Sequence, residues 1–378
     1  MPHSPQSRRR VVITGIGVVS PNGVGREAFA AACRAGRSGL SRPDHIDTAG
    51  LRTTSVARVI DWSPETVMPT AELRRVPRMV PLALAASREA LAQANLNFAA
   101  DDVERQRMIG VALGLRGPSH VLSTGCTSST DAIGYAAMLV RDGAVPSMLA
   151  GGADAPISRG ILTAFEKMRV ISTRRWDDAT HSSCPFSADR DGFVLGEGAW
   201  MFVLEEREHA SARGAVPLAE IAGYASTCDA YHRVQIDPEV VEPVRAMELA
   251  LAEAGRAKDE VGYVNLHGTS TDLNDRMETA ALRKCFGAQA GRVPMSSTKS
   301  MIGHPQGACG AAGLAATVLA MRDGVLHPTI NLERPDPRCD LDYVPNVARA
   351  AAIDVALCNC IAFGSKNSAI VVTKGTDQ

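Results

Sequence analysis

Apolar and polar positions change in blocks along the chain, and the blocks predict a regular series of strands and helices. Residues 11–16 read as a buried strand ending in glycines, and 26–35 as a helix. Residues 41–77 are irregular, broken by Pro43, Pro64 and Pro69. Over 80–95 the apolar residues fall at helical spacing, with Val80, Leu84 and Leu91 on one face. Residues 108–112 read as a short strand. Residues 128–140 form an amphipathic helix stopped by Asp142-Gly143. Strands follow at 147–150, 199–204 and 218–224, the last two separated by a short charged helix over 206–213.

The second half repeats the rhythm. A helix over 243–254 tolerates Pro243 in its first turn and ends at Gly255. A strand over 261–266 stops at His267-Gly268, and a helix follows over 275–286. A strand over 294–297 leads to a small-residue helix over 307–322, and strands over 355–361 and 368–373 close the chain. This alternation predicts an α/β architecture with mostly parallel pairing. Both halves carry their informative residues at strand ends, where open α/β sheets bind ligands.

With 378 residues the chain has room for one large domain or two ordinary ones. Lys and Arg number 40 against 41 Asp and Glu, which lacks the basic excess of a general nucleic-acid binder. No apolar run reaches the roughly 18 residues that span a bilayer, so no membrane insertion is expected. The polar start, with Arg8, Arg9 and Arg10, leads into the first strand rather than a signal sequence, which points to the cytoplasm. Nine cysteines, an odd number with no CxxC pair, read as reduced and mostly buried thiols. Cys358-Asn359-Cys360 is one isolated C-x-C, too little to predict a metal site.

Three strand-end segments carry candidate chemistry. In Ser123-Thr124-Gly125-Cys126-Thr127-Ser128-Ser129, Cys126 stands just before a helix, whose N–H groups and positive end are expected to lower the thiol pKa. His267 ends an apolar strand and is followed by Gly268-Thr269-Ser270-Thr271, and His304 closes Lys299-Ser300-Met301-Ile302-Gly303-His304. Each residue alone could be structural. Together, one cysteine and two histidines suit acyl transfer. The same types could hold zinc, but they lie far apart with no short ligand pair, so no metal is expected. Lys299 sits beside the second histidine, and Glu278 is placed to pair with His267 from the following helix.

These segments resemble the β-ketoacyl-acyl-carrier-protein synthases of bacterial fatty acid and type II polyketide synthesis. The resemblance spans nearly the whole chain. It is carried by Val12-Ile13-Thr14-Gly15-Ile16-Gly17, Thr124-Gly125-Cys126-Thr127-Ser128, Gly192-Phe193-Val194-Leu195-Gly196-Glu197-Gly198, the two histidine segments and Pro328-Thr329-Ile330-Asn331-Leu332. It implies a duplicated thiolase-like fold in five layers, α-β-α-β-α. The halves would span 10–212, carrying the nucleophile, and 213–376, carrying the histidines. It also implies a decarboxylative Claisen condensation. Cys126 would accept an acyl group, and His267 and His304 would hold the thioester carbonyl of a malonyl unit on acyl carrier protein. Lys299 would tune the site and Glu278 support it. Thr269 and Thr271 would contact the phosphopantetheine arm, and the backbone N–H groups of Cys126 and Phe363 would form the oxyanion hole, with Phe363 as gate. No metal or dissociable cofactor is implied. The implied partners are acyl carrier protein and either a second copy or a synthase-like chain-length subunit. Cys126 places the chain with the active type, and Asp154-Ala155-Pro156-Ile157-Ser158 leans toward type II polyketide synthases.

Two features depart from the family. Met108–Gly114 runs almost directly into Leu115-Arg116-Gly117-Pro118, where family members carry several dozen further residues with a helix lining the acyl pocket and dimer interface. Their loss near 114–115 is expected to weaken the dimer and open the pocket. In the terminal loop Ile361 replaces an aromatic, and Ala362 and Ser365 replace glycines, which predicts a stiffer or altered gate and hence a different chain-length preference. Two other readings remain: a silent synthase-like scaffold or partner, and a thiolase or acyl hydrolase using the same nucleophile.

Overall fold

The computed structural model describes residues 8–96, 109–110, 118–174, 176–364 and 366–375. Ten strands share one sheet: β1 (Val11–Ser20), β2 (Gly23–Val24), β3 (Ile109–Gly110), β4 (Ser147–Asp154), β5 (Gly198–Glu206), β6 (Ala219–Cys228), β7 (Tyr263–Asn265), β8 (Met295–Ser296), β9 (Val355–Ala362) and β10 (Lys366–Lys374). Across the sheet the order is β8, β7, β9, β10, β6, β1, β5, β4, β3, with β2 attached to β1. β1 meets β6 at the centre. Outward from that junction, each side pairs antiparallel, antiparallel, then parallel: β1–β5–β4–β3 on one side, β6–β10–β9–β7 on the other. The repeated pattern is the duplication.

Pairing in this sheet is mixed and mainly antiparallel, which corrects the expectation of mostly parallel strands. Alternating strands and helices imply parallel pairing only where a helix crosses between sheet neighbours. Here β9 and β10 form a hairpin, and β5 passes to β6 through only a six-residue helix, Arg207–Ala212.

Helices complete the layers. α1 (Arg26–Arg34) follows β2. α2 (Met79–Gln93) covers β1, β4 and β5 on one outer side, and α4 (Val241–Ala254) with α5 (Asp272–Phe286) covers the other half. Between them α3 (Ser128–Arg141) packs on α6 (Cys309–Asp323), and the pair touches strands of both halves. The result is the five-layer α-β-α-β-α arrangement. Its middle strands are enclosed on both faces, so they carry continuous apolar runs: every residue of β1 is buried. α6 is buried nearly throughout and rich in alanine, which lets two helices fit between two sheet halves. α2 lies so close to β1 that a Cβ at Gly17 would stand 1.7 Å from the Ala86 carbonyl oxygen.

The sequence signals did not disclose the helix Arg159–Met168, which Ser158 caps by accepting a hydrogen bond from the Ile161 N–H at 3.4 Å. The junction at 114–115 and Ser365 lie outside the described residues. Ala362 ends β9 without a positive φ, while Gly364 takes φ +86° in the turn. The alanine is therefore unstrained where it sits, and the argument for a stiffer gate loses that support.

Candidate active site

Cys126 occupies a single 3₁₀ turn, Gly125–Thr127, that leads into α3. Gly125 takes φ +75°, which admits glycine readily. The Ser128 hydroxyl locks the turn, accepting from the Thr124 N–H at 2.9 Å and donating to the Gly125 carbonyl at 2.6 Å. Cys126 is buried, 6% exposed.

His267 follows β7 and is held from three sides. Its own N–H and that of Gly268 donate to the Glu278 carboxylate at 2.8 and 2.7 Å. Asn359 on β9 donates to the same carboxylate at 2.7 Å. The Lys299 ammonium donates to the His267 carbonyl at 2.6 Å. Glu278 thus meets His267 as expected, but through the backbone N–H rather than the imidazole ring. A carboxylate this deep needs its several donors, and the loop supplies them.

His304 is fixed through its backbone: its N–H donates to the Val194 carbonyl at 2.7 Å, and its carbonyl accepts from Gly196 at 3.0 Å. Its ring meets Phe193 and His267 edge-on, with centroids 5.3 and 5.4 Å away. Nδ1 of His304 is buried and has no hydrogen-bond partner among the described residues.

The Cys126 sulfur and one nitrogen from each of His267 and His304 all lie within 4.8 Å of one another. They sit in a cavity of about 310 Å³. Thr269, Thr271 and Phe363 also line it, and the two threonine hydroxyls are 2.9 Å apart. Cavities of this size suit small organic ligands. Of the residues singled out from sequence, Cys126, His267, His304, Thr269, Thr271 and Phe363 face this cavity. Lys299 and Glu278 stand behind His267.

Electrostatics differ from the helix-end expectation. Burial, then the neighbouring Cys309, pushes the Cys126 thiol up to about 12, against the pull of Lys299 and of the backbone N–H groups of Phe363 and Cys126. The expected lowering is therefore reversed: Cys126 sits in the turn before α3, and burial outweighs the helix end. Burial, then Lys299, lowers His267 to about 3, so its ring is neutral at physiological pH. Burial raises Glu278, opposed by the backbone donors of Gly268 and His267.

Two further thiols meet here that the sequence disclosed only as scattered buried cysteines. Cys309 opens α6 and Cys360 lies on β9; their sulfurs are 3.7 Å apart, and each is 3.2 Å from the Cys126 carbonyl oxygen. The Cys360 sulfur is 3.5 Å from Nδ1 of His267. They come from segments with no ligand-like spacing, so no local signal could have joined them.

The chain matches the model of the β-ketoacyl synthase N-terminal domain over residues 8–114 and 107–210, and that of the C-terminal domain over 218–333. It is 39% identical to the tetracenomycin polyketide synthase ketoacyl synthase alpha subunit of Streptomyces glaucescens, over 97% of this chain and 98% of the relative. It is 36% identical to 3-oxoacyl-[acyl-carrier-protein] synthase 2 of Synechocystis, again over 97% and 98%. The first alignment runs over 419 positions, more than the 378 residues of the chain, so the relative carries residues with no counterpart here. The two pieces of the N-terminal match meet at 107–114, beside the expected interruption.

Among solved structures, a type II polyketide acyl-carrier protein in complex with its ketosynthase, bound to the hexaketide, matches with TM-score 0.89 and 31% identity, covering 98% of this chain and all of that one. A β-ketoacyl synthase from Burkholderia phymatum matches with TM-score 0.87 and 34% identity, covering 97% and 99%. Two domain models in order, relatives aligned almost end to end and a shared five-layer fold lead to one conclusion: this chain belongs to the β-ketoacyl synthase family.

Proposed function

We propose that this protein joins an acyl group to a malonyl unit by decarboxylative Claisen condensation, in fatty acid or type II polyketide synthesis. The convergence of the Cys126 sulfur with His267 and His304 in one cavity carries the reading. Cys126 attacks an acyl thioester, the carrier thiol leaves with the proton, and the acyl group rests on sulfur. Malonyl thioester then loses CO2. The electron pair left behind becomes an enolate, which attacks the acyl carbonyl and expels the Cys126 thiolate.

The neutral His267 ring offers one N–H to the developing enolate oxygen, and His304, whose ring lines the same cavity, is the second donor. Backbone N–H groups of Cys126 and Phe363 receive the oxyanion of acyl transfer. Thr269 and Thr271 hold the phosphopantetheine arm. Lys299 and Glu278 position the His267 loop. The halves are taken as 10–212 and 213–376. Substrates arrive on acyl carrier protein, and this chemistry needs no dissociable cofactor. The partner is a second copy or a chain-length subunit, and the cytoplasm is the working compartment. No helix among the described residues is long and apolar enough to cross a membrane.

The test is a single turnover of acyl-carrier protein with malonyl-carrier protein, read by the mass of the carrier product. A β-ketoacyl product from wild type and none from Cys126→Ala is expected. A second reading, a silent partner subunit, is favoured by the residues the relatives carry and this chain does not. It predicts no product from wild type.

A further inference from the structure

We propose that His267, Cys309 and Cys360 form a binding site for a soft divalent cation of the zinc class, directly behind the reaction centre. Their three ligand atoms lie within 4.8 Å of one another, and all three residues are buried. The spacing fits a metal. Tetrahedral zinc, with Zn–S about 2.3 Å and Zn–N about 2.0–2.1 Å, fixes S···S edges of about 3.8 Å and S···N edges of about 3.6 Å. The Cys309 and Cys360 sulfurs are 3.7 Å apart, and Cys360 Sγ is 3.5 Å from His267 Nδ1. Two edges of the coordination tetrahedron are thus already drawn by the resting side chains.

The chemistry fits as well as the geometry. Two thiols and an imidazole are a soft ligand set that favours zinc over magnesium or calcium. In the filled site both cysteines coordinate as thiolates, and two thiolates balance a divalent charge. The filled site is neutral, so it adds no uncompensated charge to the interior or to nearby Lys299. The Cys126 carbonyl oxygen, 3.2 Å from each sulfur, is left facing the cation. Cys309 and Cys360 come from the start of α6 and the end of β9, and His267 from the loop just past β7 that Glu278 and Lys299 hold, so the three ligands are positioned before a cation arrives.

Metal on Nδ1 would leave the His267 ring proton on Nε2, making it a fixed N–H donor. That consequence rests on the proposed condensation; the site itself does not, because Cys126 is not one of its ligands.

The probe is Co2+, titrated into reduced, chelator-stripped full-length protein. One equivalent should bind with thiolate-to-cobalt charge-transfer bands and the strong visible bands of a tetrahedral site. Cys126→Ala should keep them. Cys309→Ala and Cys360→Ser should each weaken cobalt binding by more than about 10-fold. Zn2+ should raise the unfolding temperature of wild type and Cys126→Ala but not of those two variants, which separates ligand loss from misfolding. Absence of bands in reduced wild type, or unchanged bands in both Cys309→Ala and Cys360→Ser, would overturn the site. Loss in Cys126→Ala would move the cation onto Cys126, His267 and His304 and overturn it equally.

Discussion

A thiol pushed up to about 12 by burial and by Cys309 is protonated at neutral pH. Cys126 therefore does not wait as a thiolate; its proton leaves as the acyl group arrives. Alkylation of Cys126, followed on its own peptide with a neutral reagent, should rise about tenfold per pH unit between pH 7 and 9, because only the thiolate reacts. A plateau by pH 8 would show a preformed thiolate and contradict this account. The position of Cys126 was legible in its turn-and-helix motif. Its protonation was not, because the groups that set it, Cys309, Lys299 and the Phe363 N–H, come from distant segments. Glu278 teaches the same lesson: the sequence placed it near His267, but only the folded loop shows that it holds backbone N–H groups.

The first strand followed from its apolar run, because β1 is buried on both faces; α2 followed from helical spacing, but its buried face carries Leu82, Ala86 and Ala90 rather than Val80, Leu84 and Leu91. How the strands pair did not follow, since register and direction depend on which strands meet across the β1–β6 junction. Close contacts at Gly15 and Gly17 set the α2 layer. Gly17→Ala would drive a Cβ to 1.7 Å from the Ala86 carbonyl oxygen and 2.8 Å from the Ala90 nitrogen. Both neighbours are backbone and cannot rotate away, so α2 must lift from β1. The expected cost is about 1–3 kcal/mol, measured by denaturant unfolding. An unchanged midpoint would mean that α2 is not seated on the strand this closely.

For the molecule as a whole, His267 and His327 are fully buried, and burial lowers them to about 3 and about 4. In the unfolded chain each returns to about 6.5. Below that pH the unfolded state binds protons that the fold refuses, so stability falls as the pH drops from 6.5 toward those folded values. The loss at pH 5 is about 2 kcal/mol for each ring. Unfolding midpoints at pH 7 and pH 5 should differ less in His327→Gln than in wild type; an equal drop would remove His327 from the explanation.

At this scale the duplicated fold was legible because two halves repeat one rhythm and family motifs run through both. The meeting of five cysteine and histidine side chains around the Cys126 turn was not, because Cys309 and Cys360 reach it only through the packing of α6 and β9.

If Cys126 is the nucleophile, a chain shorter than its relatives still assembles a working site. Intact-protein mass spectrometry after incubation with acyl-carrier protein tests it directly. One acyl adduct on wild type and none on Cys126→Ala is expected. A folded wild-type protein that takes no adduct would contradict it and leave the silent partner subunit as the better reading.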